Sequence, residues 1–427
     1  MGKYHLVGVK GTGMAALAIC LKQLGVEVTG SDVEERFFTS DALEENDIEV
    51  SLFDKKNITD DKQYIISAAY DNKHIEVSEI IKRNLPYSYY HDFIESFFHG
   101  IKIGVSGTHG KTTTTQLCAT LFSNNPICAI VGDGTGSGNP DYRYLIFEAC
   151  EYKNHFLQFS YDYLIINNID FDHPDFFDNI EDVKRSFDKV SKKAKTIIVN
   201  GDDENTKNII HQNKITFGLG EDCDVRGIVE ETTENGYKVI VIIKDKKYKW
   251  FLPFLGKHMV YNFLASLSVY YLEGLDMGII QEKLIAFKKP KRRMEEHFYY
   301  DNIIIDDYAH HPTEIKACLD AIKLRYPTKR IVVFFEPHTY TRTQALAKEF
   351  TECFDKVDEL YVAKTFTSKR EKFNHELEKE IRKIFINSKV FNYSIINKIK
   401  DYHNSVIVFM GAGNIRKYIA KIMNLKR

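Results

Sequence analysis

The chain has 427 residues, is 44% hydrophobic and carries a formal net charge of −2 at pH 7. This length suits two or three domains with substantial cores, and the near-neutral charge argues against a nucleic-acid-binding protein. The sequence contains no run of about 18 apolar residues and no secretory signal pattern, so we expect a cytoplasmic protein without a membrane anchor. The seven cysteines form no C-x-x-C pair, which is typical of small core residues in a reducing compartment.

The first part of the chain has the pattern of a nucleotide-binding βαβ unit. Residues 3–9 predict a strand leading into a glycine-containing turn at 8–13, residues 14–24 predict a helix, and 26–30 predict a second strand. The turn has the spacing G-x-x-G-x-G, which differs from the G-x-G-x-x-G of dinucleotide-binding folds. Asp32 nevertheless lies about where such a fold places its ribose-binding carboxylate. The pattern alone therefore leaves a dehydrogenase as one interpretation.

The segment 104–115 (GVSGTHGKTTTT) predicts a phosphate-binding loop between the strand 101–105 and a helix over 116–122. Glycines let backbone N–H groups approach phosphates, Lys111 suits the β- and γ-phosphates, and the Thr112 hydroxyl suits Mg²⁺. Val105 stands where the common loop has glycine, so only the shorter core G-x-x-G-K-T matches. A turn rich in glycine and threonine with no ligand is the alternative interpretation.

Two near-continuous apolar strands follow, at 144–147 and 163–169, and predict a buried, mostly parallel sheet. Glu148 and the pair Asp172 and His173 come just after these strands, at the edge where open α/β sheets bind ligands. The alternating segment 222–252 predicts a small antiparallel excursion, and 259–272 predicts a helix.

A third α/β unit is predicted after the basic, proline-containing segment 288–293. Strands are expected at 303–305, 330–335, 359–362 and 406–410, and helices at 312–326, 344–354 and 415–423. This alternation predicts a Rossmann-like C-terminal domain.

Six sequence blocks, in this order, narrow the interpretation: 107–115 (GTHGKTTTT), 147–152 (FEACEY), 168–173 (NIDFDH), 256–262 (GKHMVYN), 291–293 (KRR) and 306–314 (DDYAHHPTE). Together they resemble the Mur ligases of peptidoglycan synthesis, and the resemblance runs from 8–13 (GVKGTG) to 410–413 (MGAG).

The resemblance implies an α/β chain of three domains. They are a Rossmann-like UDP-binding domain over 1–99, a central P-loop-type ATPase domain with a mostly parallel sheet over 100–293, and a Rossmann-like amino-acid-binding domain over 294–427. The implied reaction is ATP-dependent ligation of L-alanine to the lactyl carboxylate of UDP-N-acetylmuramate through an acyl phosphate. ATP and Mg²⁺ are the implied cofactors, and the protein is expected to be a monomer or homodimer that binds neither nucleic acid nor membranes.

Site residues carry over position by position. The implied catalytic residues are Lys111, His173 and Arg293, and the implied metal ligands are Thr112, Glu148 and His173, the last for a second metal. The implied ATP-binding residues are Gly107, Thr108, His109, Gly110, Lys111, Thr112, Thr113, His258, Asn262, Arg293 and Asp307. The implied substrate-binding residues are Gly11, Thr12, Gly13, Asp32, Ser67, Glu151, Tyr308, His310 and Arg342. The loop 132–138 is expected to bend over the sugar–lactyl part of the substrate.

Several alternatives remain at the level of sequence. A related ligase that attaches a peptide to the same UDP-sugar shares much of the pattern, and folylpolyglutamate-type ligases share the ATPase part. A nicotinamide-dependent dehydrogenase and a non-catalytic nucleotide sensor belong to other classes. Thr339 stands where many Mur ligases have a second arginine, which leaves the details of amino-acid recognition open.

Overall fold

The computed structural model describes residues 2–367, 371–391 and 393–424. These residues form three sheets in chain order, each flanked by helices. No helix in the described ranges is both long and apolar enough to cross a membrane.

The first sheet has five parallel strands in the order β3-β2-β1-β4-β5. Its elements are β1 (Lys3–Val7), α1 (Thr12–Gln23), β2 (Glu27–Asp32), α2 (Ser40–Glu45), β3 (Glu49–Leu52), β4 (Gln63–Ile66), α3 (Ile75–Lys82), β5 (Tyr87–Tyr89) and α4 (Tyr90–Phe97). The predicted βαβ opening is confirmed, and α4 occupies most of the aromatic segment before residue 99.

The central sheet has ten strands in the order β15-β14-β13-β12-β11-β10-β6-β9-β7-β8. The elements are β6 (Ile101–Ser106), α5 (Lys111–Leu121), β7 (Ile127–Ile130), β8 (Gly136–Ser137), β9 (Tyr144–Glu148), β10 (Tyr161–Ile166), α6 (Ile180–Ser191), β11 (Ala194–Asn200), β12 (Lys214–Gly218), β13 (Val225–Thr233), β14 (Gly236–Ile243), β15 (Lys246–Leu252), α7 (Lys257–Leu272) and α8 (Ile280–Ala286). The predicted antiparallel excursion is the meander β13–β15, and it continues this sheet because β13 pairs in parallel with β12.

The third sheet has six strands in the order β16-β17-β21-β18-β19-β20, and β16 alone among the described strands of this sheet runs antiparallel to its neighbour. The elements are β16 (Glu295–Tyr299), β17 (Asn302–Asp307), α9 (Pro312–Arg325), β18 (Arg330–Phe335), α10 (Tyr340–Ala345), α11 (Ala347–Glu352), β19 (Glu359–Val362), α12 (His375–Ile384), β20 (Lys389–Val390), β21 (Ser405–Met410) and α13 (Lys417–Asn424). The predicted α/β class with three sheet-containing units is confirmed.

Two predicted helices differ from the structure. The helix after the phosphate loop begins at Lys111, five residues before the predicted start at 116, so the threonine run is helical. The single helix predicted over 344–354 is instead the two short helices α10 and α11, because the backbone at Leu346 leaves the helical region (φ −110°, ψ 27°). The polar threonine run hides the helix start at Lys111, whereas nothing in the apolar residues 345–347 marks the break at Leu346.

The first and central sheets share one apolar core through α1. Buried side chains of α1, such as Leu17 and Leu21, pack in the same cluster as Ile130 and Leu145 of the central sheet. Gly136 and Gly138 permit this contact, since a Cβ atom on them would lie 2.0 Å from the Ala16 carbonyl oxygen and 2.3 Å from that of Cys20. The end of the loop 132–138 therefore packs on α1, which the sequence did not predict.

Candidate active site

The phosphate loop lies between β6 and α5, and left-handed glycines shape it. Gly107 and Gly110 have φ values of +129° and +81°, and a Cβ on Gly110 would lie 2.8 Å from Asn262 Oδ1. The backbone N–H of His109 donates to Asn168 Oδ1 over 2.8 Å, and that of Thr108 donates to the Asn168 carbonyl over 3.1 Å. Since α5 begins at Lys111, its free N–H groups point toward the loop, as in anion-binding helix starts.

Lys111 is held by the loop and by a carboxylate. Its ammonium donates to the carbonyl oxygens of Gly107 (2.6 Å) and Thr108 (3.1 Å) and to Glu151 Oε1 (3.1 Å). Burial alone would lower the pKa of Lys111, but the charge of Glu151, its hydrogen bond and neighbouring groups that include Glu148 together raise the pKa. An ammonium has three N–H donors, so a bound phosphate must replace at least one of these partners.

Two glutamates of the block 147–152 form the acidic side of the site. Thr112 Oγ1 donates to Glu148 Oε2 over 2.8 Å, and His173 Nε2 lies 3.6 Å from Glu151 Oε1. Burial raises the pKa of Glu151, which is 2% exposed. Thr112 and Glu148 supply two adjacent oxygens, the ligand type and spacing that octahedral Mg²⁺ accepts at about 2.1 Å from each. Thr112 and Glu148 therefore fit a magnesium ion, whereas the ring of His173 lies beside Glu151.

One cavity of about 350 Å³ collects most of the predicted ATP-binding residues. Its lining includes His109, Gly110, Thr113, His258, Asn262, Arg293 and Asp307. Gly107, Thr108, Lys111 and Thr112 do not line this cavity and lie instead on the side of Glu148 and Glu151. The cavity thus suits a nucleoside whose phosphates extend along the loop toward the two glutamates.

Arg293 closes the cavity from the third sheet's side. Its guanidinium lies 3.5 Å from Glu314 Oε1 and 5.5 Å from the centre of the Tyr308 ring. The neighbouring Arg292 and Met294 have φ values of 61° and 50°, a conformation that is uncommon for such residues and is often found at functional sites. The chain is therefore sharply bent where the second and third units join.

A charged network joins the phosphate loop to the start of α9. His109 Nε2 lies 3.3 Å from Asp170 Oδ2, His109 Nδ1 lies 3.8 Å from Glu314 Oε1, and the His311 ring is centred 4.5 Å away. Burial alone would lower the pKa of His109, but hydrogen bonds and charges from Asp170 and Glu314 raise it to about 9. A protonated His109 thus links two carboxylates that belong to different units.

This network predicts a specific dependence of stability on pH. The pKa of His109 is raised from 6.5 to about 9 in the folded protein, so its stabilising contribution is complete below pH 6.5 and is lost as the pH rises through 9. The loss is expected to be roughly 3 kcal/mol at most. Thermal unfolding of wild type and His109→Gln between pH 6 and 10 checks this, with exposed His99→Gln as the control. Parallel curves for wild type and His109→Gln would contradict the prediction.

The predicted UDP-binding residues meet at the C-terminal ends of β1, β2 and β4. Gly11 caps α1, and Thr12 and Gly13 form its first turn. Asp32 accepts hydrogen bonds from the backbone N–H of Lys10 (2.7 Å) and of Val33 (2.8 Å), so its carboxylate fixes the glycine turn. Ser67 follows β4 and donates its backbone N–H to Val7.

The residues predicted for the amino-acid site are bound to one another or to the central unit. His310 Nδ1 lies 3.2 Å from Glu314 Oε2, and the Tyr308 ring faces Arg292 at 4.9 Å. Arg342 is 2% exposed and forms a bidentate pair with Asp172, with Nε at 2.7 Å from Oδ1 and Nη2 at 3.2 Å from Oδ2. The sequence pattern placed Asp172 at the ligand-binding edge of the sheet without a role, and it did not single out Asp170 or Glu314, although all three lie inside the quoted blocks.

Comparison with known proteins places this architecture in a family. Residues 3–101 match the model described as Mur ligase family, catalytic domain, residues 136–270 the Mur ligase middle domain, and residues 292–413 the Mur ligase, glutamate ligase domain. The chain belongs to the Mur ligase family.

Particular members are similar over nearly the whole length. The chain is 40% identical to the UDP-N-acetylmuramate–L-alanine ligase of Streptococcus thermophilus (strain ATCC BAA-491 / LMD-9), covering 97% of this chain and 96% of that one. It is 38% identical to the enzyme of the same name from Streptococcus sanguinis (strain SK36), with the same coverage.

Solved structures show the same fold. The UDP-N-acetylmuramate–alanine ligase of Thermotoga maritima matches with a TM-score of 0.83 at 23% identity over 100% of this chain and 99% of that one. A murein peptide ligase of Psychrobacter arcticus 273-4 matches with a TM-score of 0.71 at 19% identity, covering 99% and 98% of the two chains.

Proposed function

We propose that the protein joins L-alanine to the lactyl carboxylate of UDP-N-acetylmuramate and converts ATP to ADP and phosphate, in peptidoglycan precursor synthesis. The observation that carries the proposal is a cavity lined by part of the phosphate loop and by Arg293, with the rest of the loop bonded to two glutamates beside it, in a chain 40% identical to such a ligase over 97% of its length. Mur ligases are ATP-dependent, and the geometry offers both a nucleoside cavity and a phosphate path.

Two steps balance the reaction. A lactyl carboxylate oxygen attacks the γ-phosphorus of ATP, the bond from that phosphorus to the β–γ bridging oxygen breaks, and ADP leaves with an acyl phosphate formed. The amine of L-alanine then attacks the acyl carbon, phosphate leaves, and the amine loses a proton. Because the first step joins two anions, the chain must supply cations and donors positioned around the phosphate.

Identified residues supply this positive charge, either directly or as ligands of a metal ion. Lys111 neutralises the phosphate from the loop, and the Arg293 guanidinium reaches it from the far side of the cavity, where its planar fork suits phosphate oxygens. Thr112 and Glu148 would hold Mg²⁺, which would supply positive charge to the triphosphate. His173 would hold a second metal, a role that rests on its match to the family position.

Each of the three units binds a different substrate. Residues 1–99 bind the UDP group, residues 100–293 bind ATP, and residues 294–427 bind L-alanine. Glu151 and the loop 132–138 contribute to the substrate side, and Tyr308, His310 and Arg342 contribute to the amino-acid side. The protein acts in the cytoplasm as a monomer or homodimer.

Phosphate release tests the function directly. ATP and Mg²⁺ are supplied with UDP-N-acetylmuramate and L-alanine, singly and together, and the product is weighed by mass spectrometry. Release that needs both substrates, with a product heavier by one alanine residue, is the expected result. Release that needs the UDP-sugar and a peptide in place of L-alanine would move the chain to the peptide ligases, and no release from a folded, ATP-binding protein would favour a sensor.

A further inference from the structure

Tyr90 stands between the UDP side and the phosphate side of the site. It is the first residue of α4, and its hydroxyl oxygen lies 2.9 Å from the position that a Cβ atom on Gly13 would occupy. The side chain therefore extends against the first turn of α1, where the UDP-binding glycines lie. Tyr90 belongs to neither the glycine turn nor the phosphate loop, and no role has been given to it so far.

The Tyr90 hydroxyl lies close enough to Glu148 to be affected by its charge. Burial, reinforced by the charge of Glu148, raises the pKa of Tyr90 well above its ordinary value, and Cys150 also lies near it. The phenol is therefore neutral and keeps its proton, so it can donate a hydrogen bond to an anion but cannot act as an anion itself.

The hydroxyl is uncommitted within the described part of the chain. It makes no hydrogen bond to any residue of 2–367, 371–391 or 393–424, and the side chain is half-buried. Tyrosines on β9 and β10 of the central sheet differ, since the hydroxyls of Tyr144, Tyr161 and Tyr163 all donate to a glutamate or a carbonyl. With no protein partner, this hydroxyl is available to donate to a ligand bound beside Gly13.

We infer that the Tyr90 hydroxyl donates a hydrogen bond to an anionic oxygen of the UDP-sugar substrate, either of its diphosphate or of its lactyl carboxylate. The inference rests on the proposed function, in which residues 1–99, with the turn at Gly11–Gly13, bind the UDP group and the lactyl carboxylate attacks a γ-phosphate held beside Thr112 and Glu148. A substrate that connects these two places passes Tyr90, whose hydroxyl contacts Gly13 and lies in the field of Glu148. Tyr90 is thus a substrate-binding residue.

The test is Tyr90→Phe, which removes one oxygen and keeps the ring. Calorimetric titration with UDP-N-acetylmuramate in the absence of ATP is expected to give a Kd about tenfold higher than that of wild type, because a hydrogen bond to a charged group is lost. The Kd for ATP is expected to stay within about twofold. Tyr87→Phe, which alters an exposed tyrosine of β5, is the matched control and is expected to bind like wild type.

A titration with UDP separates the two anionic groups. A parallel loss of affinity for UDP assigns the hydrogen bond to the diphosphate, and a loss confined to UDP-N-acetylmuramate assigns it to the lactyl end. An unchanged Kd for UDP-N-acetylmuramate in a folded Tyr90→Phe variant overturns the inference and leaves the proposed function standing. A wild-type protein that does not bind UDP-N-acetylmuramate overturns both.

Discussion

Lys111→Ala is expected to lower the rate of ATP-dependent ligation by about 10³-fold or more, because one cation is removed from a phosphoryl transfer that depends on charge stabilisation. The Kd for UDP-N-acetylmuramate is expected to stay within about twofold, since Lys111 lies on the phosphate loop and bonds to Gly107, Thr108 and Glu151. Single-turnover phosphate release measures the first effect and calorimetry the second. A large loss of UDP-sugar affinity in a folded variant would contradict the proposed division of labour between the units.

Stability has to be separated from catalysis in this experiment. Removing Lys111 leaves Glu151, which is 2% exposed, without its cation, and an unpaired buried charge costs about 3–5 kcal/mol. Lys111→Ala combined with Glu151→Gln removes that charge, so we expect it to recover much of the stability and none of the ligation.

Lys102→Ala is the matched control for the loss of a buried lysine. Lys102 has the same side-chain exposure as Lys111, 12%, and is paired with Glu95 at 2.8 Å. It lies on β6 away from the phosphate loop, so its loss is expected to lower stability while the ligation rate per folded molecule stays near that of wild type. Equal rate losses in the two variants would show that Lys111 has no special role in the reaction.

The order and type of the main helices and strands could be predicted from the sequence, but some of the helices and strands could not. The apolar runs of β9 and β10 stand out because both faces of these strands are buried. The amphipathic α6 was missed although it carries a recognisable start, since Asn179 accepts a hydrogen bond from the N–H of Asp182 and Val183 and Phe187 face the core. Short strands such as β8 have only two residues and no pattern to detect.

The candidate site also has features that could be predicted from the sequence and features that could not. The phosphate loop could be predicted because its glycines, lysine and threonine are contiguous and each has a local geometric reason. The pairing of Lys111 with Glu151 and the position of Tyr90 could not, since both depend on how separate segments of the chain approach one another. The resemblance to Mur ligases gave the residues, and the structure adds which of them are already engaged with protein partners.

Arg342→Ala is expected to raise the KM for L-alanine about 100-fold and to change the KM for ATP much less. An arginine has five N–H donors, and three of those of Arg342 go to Asp172 and His338. The two remaining donors suit the α-carboxylate of the amino acid, which would lose a charge-assisted bidentate partner. Steady-state kinetics with each substrate varied in turn checks this, and equal effects on both KM values would contradict it.

Asp172→Asn distinguishes a residue that binds alanine from one that only joins the two units. Burial disfavours the charge of Asp172, but Arg342, His173 and His311 together hold the pKa of that carboxyl well below its ordinary value, so the pair is ionic at neutral pH. If Asp172 orients the fork of Arg342, its replacement by the neutral isostere is expected to raise the KM for L-alanine about tenfold, because the guanidinium is no longer fixed. An unchanged or lower KM would mean that Asp172 competes with the substrate carboxylate instead. Arg325→Ala is the matched control for Arg342→Ala, since Arg325 forms a bidentate pair with Glu296 inside the third unit and does not line the cavity.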